Sequence, residues 1–120
     1  MRENIVKNKS FAFAVRIVRL YQFLCGQKKE FVLSKQLLRS GTSVGAMIRE
    51  AEHAETKNDF KHKMGIAQKE INESIYWLEL LKATDYLSQN QFETINDDAV
   101  EIIKLITSII KTTKANINKG

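Results

Sequence analysis

Apolar residues recur at alternating intervals of three and four along almost the whole chain, and no proline interrupts them. This spacing is typical of one face of an α-helix, which completes a turn about every 3.6 residues. Proline breaks helices because it lacks a backbone donor, so its absence permits long helices. The sequence shows no strand pattern and no internal repeat. It therefore predicts an all-α protein.

Capping residues divide this pattern into separate helices. Ser10 is the expected N-cap of the first helix, and Gly26 is its expected end. Ser88 and Gln91 have the spacing of a capping box at the start of the last helix. The predicted helices lie at about residues 10–26, 34–55, 57–83 and 89–117.

The length of the loops predicts how these helices are arranged. Short loops place consecutive helices side by side in opposite directions. A chain of 120 residues, of which 43% are hydrophobic, is long enough to bury one core of its own. We therefore expect residues 1–120 to form a single antiparallel up-down-up-down four-helix bundle.

The first helix carries more apolar surface than one bundle can bury. Its apolar residues fall into two neighbouring stripes. We expect one stripe to face the bundle core and the other to face another subunit, so the sequence favours a homo-oligomer. One stripe contains Phe11, Ala14, Val15, Val18 and Cys25, and the other contains Phe13, Ile17, Leu20 and Leu24.

The second helix contains two glycines four residues apart, Gly41 and Gly45. Each costs about 1 kcal/mol of helix stability relative to alanine. Close approach of another helix would offset that cost, because glycine leaves a smooth surface. The residues predicted to pack helices or subunits together are Gly41, Ser43, Gly45, Ile48, Glu50, Phe60 and Trp77.

The positive charge is concentrated at the start of the chain. The net charge is +5, and the first 33 residues, with seven basic and two acidic side chains, account for all of it. Clustered cations favour nucleic acid, because they release counterions from phosphates. The alternatives are a solvated basic face and intersubunit salt bridges of Arg16 and Arg19. The predicted phosphate-binding residues are Lys7, Lys9, Arg16, Arg19, Lys28 and Lys29.

The residues that could carry catalysis or hold a metal form no complete site. The single cysteine, Cys25, has no histidine near it in sequence, so we interpret it as a packing residue. Glu50 with His53, and Asp59 with His62, have the spacing of di-metal ligands. The predicted first helix contains no carboxylate to complete that site. We expect no catalytic residue, no metal, no cofactor and no enzymatic activity.

A membrane location is not expected either. No apolar run approaches the roughly 20 residues that a membrane helix needs. Arg16 and Arg19 interrupt the first apolar stretch too early for a signal peptide. We therefore expect a cytoplasmic protein with no membrane partner.

The second and third helices resemble a known family of four-helix bundles. Its members were first noticed as proteins encoded in intervening sequences of bacterial large-subunit ribosomal RNA genes. The resemblance extends from about Phe11 to the fourth helix. Met47 departs from it, since many members have asparagine there. The residues that carry the resemblance are Ser43, Val44, Ile48, Glu50, Phe60, Ala67, Glu70 and Trp77.

The resemblance implies more than the pattern alone. It implies a barrel-shaped homopentamer with a basic surface, whose formal charge would be five times +5. The family is related to accessory proteins of retroelements, which pair with a reverse transcriptase and bind nucleic acid. The resemblance thus implies RNA or DNA binding without catalysis. The alternative is a scaffold that docks a partner protein, such as a nucleic-acid enzyme, through apolar faces and the Gly41–Gly45 surface.

Overall fold

The computed structural model describes residues 2–119, which form four α-helices and no strand within that range. Its dimensions are 52 × 21 × 20 Å, so the helices set the long axis. The expected all-α class with four helices is confirmed. Met1 and Gly120 of the predicted domain lie outside the described residues. The helices are α1 (Arg2–Gly26), α2 (Leu33–Glu52), α3 (Lys57–Ala83) and α4 (Gln89–Lys119).

Each helix packs against the next one along the chain, and α1 also packs against α4. The residue pairs that join α1 and α2 show that the two helices run in opposite directions. Lys7 of α1 pairs with Glu52 of α2, whereas Cys25 lies beside Ser34. The start of α1 is therefore next to the end of α2.

The core is formed by the inward stripe of each helix. One polar contact crosses it, a 2.9 Å hydrogen bond between the hydroxyls of Ser40 on α2 and Ser74 on α3. Both serines are fully buried, so this bond satisfies groups that water cannot reach. The largest buried side chains include Phe13, Ile17, Leu24, Leu37, Met64, Ile71, Leu78, Leu81, Ile102, Ile106 and Ile109.

Helix α1 begins at Arg2, so the expected start at Ser10 is wrong. Ser10 is buried inside α1, and its hydroxyl donates to the Lys7 carbonyl at 3.0 Å. Two contacts extend the helix toward the N-terminus. Val6 continues the buried stripe, and the Arg2 guanidinium donates to the Thr112 hydroxyl of α4 at 2.8 Å. Tertiary contacts therefore hold a polar first segment in the helix.

The other boundaries lie closer to the expected positions. Helix α2 ends at Glu52 instead of residue 55, and Thr56 caps α3 by accepting from the Asp59 N–H at 2.9 Å. Ser88 and Gln91 form the reciprocal bonds of a capping box at the start of α4, at 3.1 and 2.9 Å. Both caps satisfy backbone donors that a helix start leaves free.

Candidate nucleic-acid interface

Three of the six predicted phosphate-binding residues form ion pairs within the chain. Their acidic partners come from α2 and α4, so neighbouring helices neutralise part of the positive charge of α1. Arg16, for which an intersubunit salt bridge is the alternative, forms its ion pair inside one chain. The pairs are Lys7 with Glu52 at 2.8 Å, Lys9 with Glu101, and Arg16 with Asp98.

These pairs shift the protonation of their members. The hydrogen bond to Glu101, together with its charge, raises the pKa of Lys9 above its ordinary value. The hydrogen bond from Lys7 lowers the pKa of Glu52. Both pairs lie at the surface, where solvent and salt screen them, so a phosphate can compete for these cations.

The other three predicted residues have no acidic partner within residues 2–119. Arg19 lies on the second half of α1, and Lys28 and Lys29 lie in the turn between α1 and α2. Lys35, in the first turn of α2, also has no ion pair and is not among the predicted residues. It lies just beyond residues 1–33, the segment that carries the excess of positive charge. These four cations, which we call the basic end, lie at or near the α1–α2 turn.

Glu30, the one acidic residue of this turn, is buried, and its carboxylate is hydrogen-bonded to the backbone. Its carboxylate accepts the backbone N–H groups of Val32, Leu33 and Ser34 at 3.1, 2.9 and 2.7 Å. Burial raises the pKa of Glu30, but the N–H groups of Leu33, Ser34 and Val32 outweigh it, so the pKa is lowered overall. Because Glu30 faces these donors, it does not neutralise the lysines beside it.

A groove of about 490 Å³ lies between α1 and the start of α4. Arg16, Arg19 and Phe23 line one side, and Asn90 and Gln91 line the other. The groove shares Arg19 with the basic end, and it adds the amide groups of Asn90 and Gln91 and the ring of Phe23 to that surface.

The two glycines of α2 face α1 of the same chain. A Cβ added at Gly41 would lie 2.8 Å from Cγ1 of Ile17, which is fully buried. A Cβ at Gly45 would lie 3.4 Å from the Ser10 carbonyl oxygen, an ordinary contact. The expected close approach of a helix therefore holds at Gly41. At Gly41 this surface is covered by α1 of the same chain, which leaves no room there for a partner helix.

Three other predicted packing residues lie in or against the core. Ile48 is buried, whereas Phe60 and Trp77 are half-buried against the core cluster. The Trp77 ring meets Tyr76 edge-on, with ring centres 5.1 Å apart. Met47, at the position where many family members have asparagine, also packs against the core. All four therefore contribute to the bundle itself.

The remaining two predicted packing residues are polar and lie at the surface of α2. Glu50 pairs with Lys63 of α3 at 3.3 Å, which links two helices. The Ser43 hydroxyl donates to the Arg39 carbonyl at 2.6 Å within α2. Ser43 therefore satisfies its own hydroxyl locally and makes no hydrogen bond to another helix.

The two apolar stripes of α1 differ in burial. The stripe that includes Phe13 and Ile17 is in the core. On the other stripe Phe11, Val15 and Val18 are 55%, 41% and 38% exposed. We call these three residues the outer stripe. One chain alone therefore leaves open the face that the sequence predicted for another subunit.

Three of the candidate metal-binding residues, Glu50, His53 and Asp59, line one open pocket beside the α2–α3 turn, but they are not arranged as metal ligands. No group of three or more histidine, cysteine or acidic side chains among residues 2–119 is placed to hold a metal ion. Cys25 is half-buried, with its sulfur 3.8 Å from the Ser34 hydroxyl. None of the helices in the described part of the chain is long and apolar enough to cross a bilayer.

The family follows from a comparison of sequences. The model of the 23S rRNA-intervening sequence protein family matches residues 2–108. The chain belongs to this family. The predicted resemblance is thus confirmed. No curated protein matches this family member.

A crystal structure from Bacteroides thetaiotaomicron VPI-5482 is similar to this family member. It is described as a protein with unknown function from the S23 ribosomal protein family. The two sequences are 60% identical, and the match covers 92% of this chain and 99% of the other. The TM-score of 0.92 shows that the two share one fold.

Proposed function

We propose that this family member is a non-enzymatic, oligomeric helical-bundle protein of the cytoplasm that binds RNA or DNA electrostatically. The observation that carries the proposal is the basic end. Its four cations have no acidic partner in the described part of the chain; they are Arg19, Lys28, Lys29 and Lys35. The nearby carboxylate of Glu30 accepts hydrogen bonds from backbone N–H groups instead. Such a surface gains free energy when it releases counterions from phosphates.

Contacts of this kind position a nucleic acid without reading its sequence. Lysine and arginine side chains that bind phosphates carry no direct information on the bases. Lys7, Lys9 and Arg16 provide further cations, because their surface ion pairs can open toward a phosphate. We therefore expect binding that depends steeply on salt and weakly on base sequence.

The proposal includes an up-down-up-down bundle that assembles into a ring-like homo-oligomer. The opposite order of paired residues in α1 and α2 supports the antiparallel topology. The outer stripe supports the oligomer, because exposed Phe11, Val15 and Val18 gain free energy when another subunit covers them. The resemblance to known family members favours a pentamer. Such an assembly would bring several basic ends together.

A protein-docking scaffold without direct nucleic-acid contact is the second candidate. The outer stripe favours it, since a partner enzyme could cover the same apolar residues instead of another subunit. The two candidates differ in one respect. Only the first requires the basic end to bind a phosphate backbone.

Fluorescence anisotropy with labelled single-stranded RNA and duplex DNA at several salt concentrations tests the proposal. We expect the double variant Arg19→Glu, Lys28→Glu to bind both probes at least about tenfold more weakly, with a shallower salt slope. The control Lys104→Glu, Lys111→Glu has the same change of charge at exposed positions of α4. Its affinity should fall less.

Two outcomes contradict this proposal. Flat anisotropy traces at low salt would exclude nucleic-acid binding and favour the scaffold. Equal losses in the two double variants would show that net charge, instead of the basic end, controls the binding.

A further inference from the structure

The turn between α1 and α2 exposes two adjacent apolar side chains. Phe31 is 58% exposed and Val32 is 72% exposed. Neither belongs to the outer stripe, which lies along α1. Lys28 and Lys29 precede them, and Lys35 follows within the first turn of α2. Phe31 is thus an aromatic side chain exposed to water, and cations without acidic partners lie on both sides of it in sequence. Packing of the bundle core does not explain this exposure.

This turn is firmly held. The Glu30 N–H donates to the Leu24 carbonyl at 2.9 Å, and the Ser34 hydroxyl donates to the Glu30 carbonyl at 2.8 Å. Lys29 adopts a left-handed backbone with φ of 56°, which reverses the chain direction. The Glu30 carboxylate binds the N–H of Val32 directly. The Phe31 segment is therefore ordered before any ligand arrives, which lowers the entropic cost of binding.

We propose that this turn contacts single-stranded nucleic acid, with Phe31 stacked on an unpaired base and Lys28, Lys29 and Lys35 on the flanking phosphates. The inference rests on the proposed function and specifies the nucleic acid. The chemistry favours a single strand because its bases are free to lie against an aromatic face, whereas duplex bases are already stacked. The cations favour an anionic partner over an apolar protein helix.

The test compares Phe31→Ala with Tyr76→Ala, a control that removes another aromatic ring of similar exposure, 55%, from α3. The probes are a labelled single-stranded oligothymidylate of about 12 nucleotides and a duplex of equal length. We expect Phe31→Ala to weaken single-strand binding at least about fivefold and to leave duplex binding and the salt slope unchanged. Tyr76→Ala should change neither affinity.

The variant Lys28→Gln, Lys29→Gln separates phosphate contacts from stacking. It should weaken binding of both probes and reduce the salt slope, because fewer counterions are released. The variant Phe31→Trp provides a direct signal, since the wild-type chain has a single tryptophan, Trp77. Oligothymidylate should quench the new fluorescence and leave that of Trp77 in the wild-type protein unchanged.

The outcomes distinguish this inference from the proposed function. If the wild-type protein binds both probes and Phe31→Ala binds the single strand equally well, the inference is wrong and the proposed function stands. If the wild-type protein binds neither probe, both fail. Binding to phosphatidylserine vesicles that Phe31→Ala abolishes, with single-strand affinity unchanged, would assign the turn to a membrane surface and overturn the inference.

Discussion

Gly41 shows how a single missing side chain sets the distance between two helices. Its Cα faces Ile17 of α1, and an added Cβ would lie 2.8 and 2.9 Å from the two Cγ atoms of that side chain. Ile17 is fully buried, so it has no free space into which to move. The helix-weakening effect of glycine is therefore offset here by close packing of α1 on α2.

The two glycines are expected to respond differently to alanine. Gly41→Ala should lower the free energy of unfolding by about 1–2 kcal/mol, because overpacking exceeds the gain in helix propensity. Gly45→Ala should leave it unchanged or raise it by up to about 1 kcal/mol, since its Cβ would make an ordinary contact. Urea unfolding followed by circular dichroism measures both. Equal changes in the two variants would contradict this account.

The start of α2 depends on a residue outside the helix. Val32 occupies the N-cap position and provides no side-chain bond. Glu30 replaces it by accepting three backbone N–H groups at the start of the helix. A carboxylate is also favoured there by the helix dipole. The same contacts stabilise α2 and fix the turn that presents Phe31.

Replacing this carboxylate should weaken the protein in a pH-dependent way. Glu30→Gln should lower the free energy of unfolding at pH 7 by about 1 kcal/mol. The native pKa of Glu30 is lowered, so its contribution is complete above the ordinary value of 4.5 and is lost as pH falls through the native pKa. The difference between variant and wild type should therefore shrink in acid.

Urea unfolding at neutral and acidic pH measures this difference. The matched control is Glu79→Gln, because Glu79 is exposed on α3 and makes no ion pair in the described structure. That control should differ little from wild type at either pH. A constant difference between Glu30→Gln and wild type across the pH range would show that the charge of Glu30 is not what stabilises α2.

The unpaired charge near the α1–α2 turn and the exposed apolar surface of α1 occupy different parts of the molecule. Lys7, Lys9 and Arg16 of α1 form ion pairs with neighbouring helices, whereas the four cations of the basic end, at or near the α1–α2 turn, have no acidic partner in the described part of the chain. The outer stripe runs along α1. One chain therefore offers an apolar side for assembly and a basic end for an anionic ligand.

The substitution Val15→Asp tests the assembly. A carboxylate in the middle of the outer stripe would be buried without a partner in an oligomer, which is costly, but remains hydrated in a monomer. We expect a lower native mass by light scattering, with unchanged helical content. The control Asn72→Asp adds the same charge to an exposed position of α3 and should leave the mass unchanged. A Val15→Asp protein with the wild-type mass would exclude the outer stripe as the subunit interface.

The sequence alone predicts the helical class and the approximate positions of α2, α3 and α4, but not the start of α1. Helical periodicity and caps are local, so Ser88 and Gln91 are informative without knowledge of the fold. It also identified the basic segment and the two stripes of α1. These features depend on residue type and spacing along one element.

Which cations are neutralised and which apolar stripe is open depend on how the helices pack together. Lys9 and Glu101 are far apart in sequence and meet because α1 packs against α4. The same packing places Arg2 beside Thr112 and extends α1 beyond the expected N-cap. Ion pairing and burial depend on distances between elements, and those distances are set when the four helices pack around one core.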